Sequence, residues 1–227
     1  MTQAFNHSGI YAIIDDSIHS KYGLVRLWHD IIEQSDIPVI QLRLKILSPA
    51  QKIKLVQSAL QIKCKRNFMF IINDDLQLIK DCLPTQSVAT VEPQHGIHLG
   101  QDDAELSAVR AFYPHMIVGI STHNVKEALR AEQAKADYIG CGAVFPTKSK
   151  DNTQALGLQG LTEIVNAVTI PTVAIGGIGK EQIMAVAQTG CHMAACISGL
   201  IAQNKFRGQE LHELFLKHQI INAKNTN

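Results

Sequence analysis

The chain has 227 residues, of which 46% are hydrophobic and 18% charged, with a formal net charge of +1. That length accommodates one α/β barrel or two smaller domains, and the apolar fraction suffices for a large core. The charge balance argues against a nucleic-acid surface or a polybasic membrane patch and leaves room for a local basic pocket. The start, MTQAFNHSG, shows no basic segment followed by an apolar stretch, so no secretory signal is expected. No apolar run reaches about 18 residues, so no transmembrane helix is expected. Cys64, Cys82, Cys141, Cys191 and Cys196 form no C-x-x-C and read as reduced thiols of a cytoplasmic protein.

In chain order, a strand is expected at 11–14 and a helix at 25–33, with Val25, Leu27, Trp28, Ile31 and Ile32 on its apolar side. A second strand follows at 38–42. Ser48-Pro49 then reads as an N-cap with proline at the first helical position, opening a helix that repeats at Ile53, Leu55, Val56 and Leu60. After a strand at 68–72, residues 81–94 read as a long connector with two prolines. Strands at 96–99, 116–120, 138–142, 172–175 and 193–197 alternate with helices at 103–112, 124–134, 161–168 and 180–188. A helix at 209–217 and a polar end at 222–227 complete the chain. Strands that are apolar throughout are buried on both faces, which points to parallel sheet. Eight such strand–helix units predict a single (β/α)8 barrel, with a doubly wound open sheet as the alternative that periodicity does not exclude. No linker marks a second domain.

In such a barrel the chemistry belongs at the C-terminal strand ends, and polar residues gather there. Gln41, Arg43 and Lys45 follow the second strand, and Asn73, Asp74 and Asp75 the third. His98, Asp102 and Asp103 follow the fourth, Ser121 and His123 the fifth, and Thr147, Ser149 and Lys150 the sixth. Gly176-Gly177 follows the seventh strand, and Ser198 stands at an expected helix start after the eighth. The loops after strands seven and eight are the common phosphate site of this fold, where glycine lets backbone N–H groups approach an anion. A plain tight turn is the other reading of Gly176-Gly177. Arg43, Lys45 and Lys150 suit phosphate oxygens, with Thr147 and Ser149 as neutral donors. Asp74 and Asp103 suit Mg²⁺, which takes a carboxylate or two with substrate phosphates and water, but helix N-capping is equally open to both. Asp75 and Asp102 read as first-turn acids. His98 and His123 have the chemistry of acid/base groups and read more simply as hydrogen-bonded structural histidines; Cys141 reads as core packing.

The ordered fragments Gln41-Leu-Arg-Leu-Lys45, Ile72-Asn-Asp74, Gly96-Ile-His-Leu-Gly-Gln-Asp-Asp103, Gly119-Ile-Ser-Thr-His123, Phe145-Pro-Thr-Lys-Ser-Lys150, Ala174-Ile-Gly-Gly-Ile178 and Ile197-Ser198 resemble the thiamine-phosphate synthase (thiamine-phosphate pyrophosphorylase) family over about residues 10–202. The resemblance implies a (β/α)8 barrel. It also implies a transferase that joins 4-amino-2-methyl-5-(diphosphooxymethyl)pyrimidine to thiazole phosphate or its carboxylated form, releasing pyrophosphate. In the family the diphosphate ionises with Mg²⁺ and the thiazole nitrogen captures the pyrimidinylmethyl cation, so no protein nucleophile is needed. By resemblance, Gln41, Arg43, Lys45, Asn73, Ser121 and Lys150 hold the pyrimidine diphosphate, with Arg43, Lys45, Lys150 and Ser121 as the catalytic groups. Asp74 and Asp103 hold Mg²⁺, and Thr147, Ser149, Gly177, Ile197 and Ser198 hold the thiazole phosphate. The implied partners are these two small molecules, not nucleic acid or a membrane; a homo-oligomer is compatible with the sequence. Departures from the family pattern are Asp75 in place of a basic residue, Ser149 for a threonine, His95 for an aspartate, His192 for a glycine, and a longer Asp74–Asp103 connection. The alternatives are a paralogue that isomerises thiazole phosphate, with His123 as acid/base, and a non-catalytic phosphate-ligand sensor.

Overall fold

The structure is a computed structural model describing residues 5–62, 67–83, 94–101, 106–147 and 155–219. Eight parallel strands close on themselves in sequence order: β1 (Gly9–Asp15), β2 (Val39–Arg43), β3 (Met69–Asn73), β4 (Gln94–Leu99), β5 (Ile117–Thr122), β6 (Tyr138–Gly142), β7 (Thr172–Ile175) and β8 (Met193–Cys196). The Gly9–Met193 to Ala12–Cys196 register joins β1 to β8 and excludes an open sheet. The helices are α1 (Asp16–His19), α2 (Leu24–Gln34), α3 (Pro49–Gln61), α4 (Leu76–Cys82), α5 (Leu106–Phe112), α6 (Val125–Gln133), α7 (Gly157–Ala167), α8 (Ile183–Ala187) and α9 (Gly208–His218). A short hairpin, β9 (Ile201–Ala202) and β10 (Lys205–Phe206), precedes α9. No helix among the described residues is long and apolar enough to cross a membrane.

The two-residue period of a strand sorts every side chain to one of two layers. Outward residues such as Ile14, Leu42, Phe70, Ile139 and Ala174 pack against the helices around Trp28, Ile31, Val56 and Ile164. Trp28 meets Phe70 edge-on, with ring centroids 5.3 Å apart. Inward residues Tyr11, Val39, Met69, Ile71, Ile117, Tyr138 and Met193 fill the lower barrel axis together with Phe5. Nearer the C-terminal ends, polar inward side chains join Ile13, Ile175 and Ala195, and together they form the site below.

Local sequence accounts for several helix starts. Ser48 and Gln51 form a capping box with Pro49 behind it, as the Ser48-Pro49 pair predicts. Asn124 caps α6 by accepting from the Glu127 N–H. Other elements differ from the sequence expectation. The short α1 and α4 have too few turns for an apolar repeat, and α4 reaches into the expected 81–94 connector. α7 begins at Gly157, ahead of the expected 161, with no side-chain cap to announce it. α8 is shorter than expected, and Ser198 opens a 3-10 turn (Ser198–Leu200) rather than an α-helix. The expected helix residues 103–105 lie outside the described residues.

Candidate active site

At the C-terminal mouth of the barrel lies a cavity of about 380 Å³. Gln41, Arg43, Lys45, Asn73, Asp74, Ser121, Thr147, Gly177, Ile197 and Ser198 all line it. The pleat explains the convergence: Gln41, Arg43 and Lys45 share parity along β2 and its extension, so all three face the axis while Leu42 and Leu44 face the helices. Asp103, Ser149 and Lys150 lie outside the described residues.

The cationic wall rests on carboxylates at the end of β1. Asp15, fully buried, accepts from Arg43 Nη1 at 2.5 Å and from the Ser17 and Ile18 N–H groups at 2.9 and 3.2 Å. Burial alone would raise its pKa; the Ser17 hydroxyl and the Arg43 guanidinium outweigh that and hold the carboxyl below its ordinary value. Asp16 accepts from the backbone N–H groups of Lys45, Ile46 and Leu47 at 3.0, 2.8 and 2.9 Å, which fixes the loop carrying Lys45. The Lys45 ammonium in turn pairs with Asp74.

Asp74 stands at a left-handed backbone position, φ 59°, with its N–H donated to the His98 carbonyl at 2.9 Å. Asn73 Nδ2 donates to its carboxylate at 2.5 Å. The capping alternative for Asp74 does not hold. Asp75 is the N-cap of α4, accepting from the Leu78 N–H at 2.9 Å, and it pairs with Lys52 at 2.8 Å. Asp75, expected as a first-turn acid, thus turns its charge to the helix and leaves Asp74 on the cavity wall. The described residues hold no group of three metal-ligating side chains. A single hard carboxylate suits Mg²⁺ nonetheless, since that ion takes only one or two protein carboxylates and completes its octahedron with ligand oxygens and water.

A second wall is built of amide, hydroxyl and imidazole groups. Gln41, Tyr11, Tyr138, His98 and Ser121 form a continuous chain of hydrogen bonds of 2.9 to 3.0 Å across the barrel. Burial pushes the Tyr11 and Tyr138 phenols well above their ordinary pKa, so both stay protonated. His123 also lines the cavity and pairs through Nδ1 with Glu127 at 2.9 Å.

The third wall follows β7 and β8. Gly176 and Gly177 have φ 104° and 64°. A Cβ on Gly177 would stand 2.7 Å from the Pro146 carbonyl oxygen, and one on Gly176 would stand 2.6 Å from Ala143 Cβ. These glycines therefore let the β7 turn pack against the β6 loop that carries Thr147. The carbonyl of Ile197 accepts from His19 Nε2 at 3.1 Å, while His19 Nδ1 accepts from the Asp15 N–H at 3.0 Å. Burial lowers the pKa of His19, whose neutral ring ties the ends of β1 and β8 together.

Tyr11, Asp15, Asp16, His19 and Tyr138 are supporting residues that the strand-end reading missed. Asp15-Asp16 was legible by the same rule, since the pair stands at the C-terminal end of β1. Cys141 is fully buried in the outer core, with its thiol pushed up to about 12 by burial, consistent with packing. His192 lies at the opposite, N-terminal end of β8, accepting from the Thr172 N–H at 3.2 Å, and does not touch the cavity.

Residues 10–200 match the family described as "Thiamine monophosphate synthase". A thiamine-phosphate synthase from Clostridium novyi is 34% identical over 201 residues, covering 88% of this chain and 93% of the relative. One from Methanococcus vannielii is 32% identical over 181 residues, covering 79% and 83%. A solved thiamine phosphate pyrophosphorylase from Pyrococcus furiosus superposes with a TM-score of 0.76 at 27% identity, covering 93% of this chain and 97% of that one.

Proposed function

This chain belongs to the thiamine-phosphate synthase family and makes thiamine phosphate, and we propose that the cavity at the barrel mouth holds both substrates of that reaction on opposite walls. The observation that carries this reading is the separation of two polar sets along the cavity wall. Arg43, Lys45, Asn73 and Asp74 rise from β2 and β3, whereas Thr147, Gly177, Ile197 and Ser198 come from the loops of β6 to β8. In the closed barrel β3 and β7 are four strands apart in either direction. A diphosphate on the first wall and a monophosphate on the second leave the two rings facing each other between them.

On this reading Arg43 and Lys45 bind the diphosphate of the pyrimidine and stabilise charge as it builds on the leaving pyrophosphate. The Asp15 and Asp16 contacts hold both cations in place before substrate arrives. Lys150, outside the described residues, is proposed to join them. Gln41 and Ser121 orient the pyrimidine ring. Asp74, with Asp103 from the loop after β4, would hold Mg²⁺, which supplies further charge neutralisation at the diphosphate. The thiazole phosphate lies on Gly177, Ile197 and Ser198 with the Thr147 and Ser149 hydroxyls, and its ring nitrogen attacks the pyrimidinylmethyl cation after pyrophosphate departs. We place the protein in the cytoplasm as a single barrel unit. Purified protein with both substrates and Mg²⁺ should release pyrophosphate and thiamine phosphate in equal amounts, and chelation should stop it. A thiazole-phosphate isomerase using His123 would release no pyrophosphate, and a sensor would turn over neither substrate.

A further inference from the structure

The hydrogen-bond chain across the barrel has a direction. Gln41 Nε2 lies 2.9 Å from the Tyr11 hydroxyl, which lies 2.9 Å from the Tyr138 hydroxyl. His98 stands between Tyr138 and Ser121, with Nδ1 3.0 Å from the Tyr138 hydroxyl and Nε2 3.0 Å from Ser121 Oγ. An amide N–H can only donate, so Tyr11 accepts from Gln41; the arrangement that also satisfies the buried Tyr11 proton is donation to Tyr138, the other hydroxyl within reach. Tyr138 gives its proton to His98 Nδ1. A neutral imidazole accepting at Nδ1 carries its proton on Nε2, which therefore donates to Ser121. Ser121 then has its hydroxyl proton left for the cavity. At the other end Gln41, with its amide nitrogen turned to Tyr11, has its carbonyl oxygen as acceptor.

We propose that Tyr11, Tyr138 and His98 are positioning residues that set Ser121 as a donor and Gln41 Oε1 as an acceptor, so that the cavity selects a ring bearing one acceptor nitrogen and one exocyclic N–H donor. That is the pattern of an aminopyrimidine, and the inference rests on the pyrimidine diphosphate binding beside these two residues. The barrel is hollowed to admit the rings. A Cβ on Gly119 would stand 2.1 Å from Tyr138 Cζ, and one on Gly140 would stand 3.0 Å from His98 Cε1. Phe5 stacks on Tyr138 at 4.2 Å and 16°, which closes the other side. Both phenols keep their protons because burial raises them, so no link of the chain is lost to ionisation.

The test reads the chain directly. Nitrogen-15 NMR of histidine-labelled free protein should find His98 protonated on Nε2 and bare at Nδ1; the reverse tautomer in an active wild type would overturn the relay alone. Tyr138→Phe keeps the ring and breaks one link. It should raise KM for the pyrimidine diphosphate about fivefold, the order of one neutral hydrogen bond, and leave KM for thiazole phosphate unchanged. It should also mix the two His98 tautomers. An unchanged pyrimidine-diphosphate KM, or an equal rise in both KM values, would overturn the proposal. If Tyr138→Phe does not fold, Tyr11→Phe breaks the chain one link earlier and is judged by the same three readouts. Absence of thiamine phosphate from wild-type reactions would instead overturn the function above, and with it the ligand assigned here.

Discussion

Asp16 offers a sharp test of how the cationic wall is held. Its carboxylate, 4% exposed, gathers three consecutive backbone N–H groups at 2.8 to 3.0 Å. Asp16→Ala leaves all three without that acceptor. A hydrogen bond to an ionised group is worth about 1.5–3 kcal/mol when its loss is complete. Ile46 in the middle of the loop is 70% exposed, so water recovers part of the loss. About 1 kcal/mol for each bond gives about 3 kcal/mol in all. For a chain of this size that is a fall of roughly 6–12 °C in Tm. The same release frees the loop that aims Lys45 at Asp74, so KM for the pyrimidine diphosphate should rise about tenfold, the equivalent of about 1.4 kcal/mol. Asp16→Asn keeps one carbonyl acceptor and should fall between the two. Urea unfolding reads the first quantity, and steady-state kinetics with each substrate varied in turn reads the second. An Asp16→Ala protein within about 0.5 kcal/mol of the wild type, the range of an ordinary surface change, would refute the argument.

Asp74→Asn should lower turnover at least about tenfold and shift the Mg²⁺ requirement upward in a metal titration; a wild-type metal dependence would remove Asp74 as a ligand. Gly177→Val should raise KM for thiazole phosphate far more than for the diphosphate. It should also lower Tm, because the new Cβ meets the Pro146 carbonyl at a position with φ 64°; a weakened diphosphate affinity alone would mean the two walls are assigned the wrong way round. His19 and His192 both have folded-state pKa values lowered from 6.5 by burial, so the unfolded chain binds protons more readily there. The stability they contribute is complete above pH 6.5 and is lost as pH falls through the folded values. Tm should therefore drop as pH falls below 6.5, and less steeply in His192→Gln; a flat profile would contradict the burial argument.

The barrel was legible because its eight strands are short apolar runs with one helical span or loop between each pair. No strand among those expected is missing, and their edges moved by a few residues at most. Elements that escaped notice share a physical cause. α1 has 4 residues and α4 has 7, too few for a 3.6-residue repeat to stand out. α7 starts at Gly157 with φ 72° and no capping side chain, so its first turn carries no signal. α4 could have been found from its cap. Asp75 precedes an apolar turn at Leu76, Leu78 and Ile79, and reading it as the cap would have freed Asp74 for the cavity at once.

The site divides along a different line. Residues at strand ends follow from parity: in Gln41-Leu-Arg-Leu-Lys45 every second residue is polar, and a strand turns every second residue the same way. A shift of one residue in that register would bury Arg43 among the helices and put Leu42 and Leu44 in the cavity, so the alternation itself predicts which side chains meet ligand. No such rule finds the relay. Its members come from β2, β1, β6, β4 and β5, and their contact exists only once the barrel has closed. Tyr11 and Tyr138 read as apolar strand residues in isolation. What marks them is the absence of side chains opposite: Gly119 and Gly140 sit within otherwise apolar strands, where glycine weakens pairing and needs a packing reason. The rings of Tyr138 and His98 are that reason. A glycine inside a barrel strand is thus a pointer to a large polar side chain on a nearby strand, and here it points at the two rings on which the donor character of Ser121 depends.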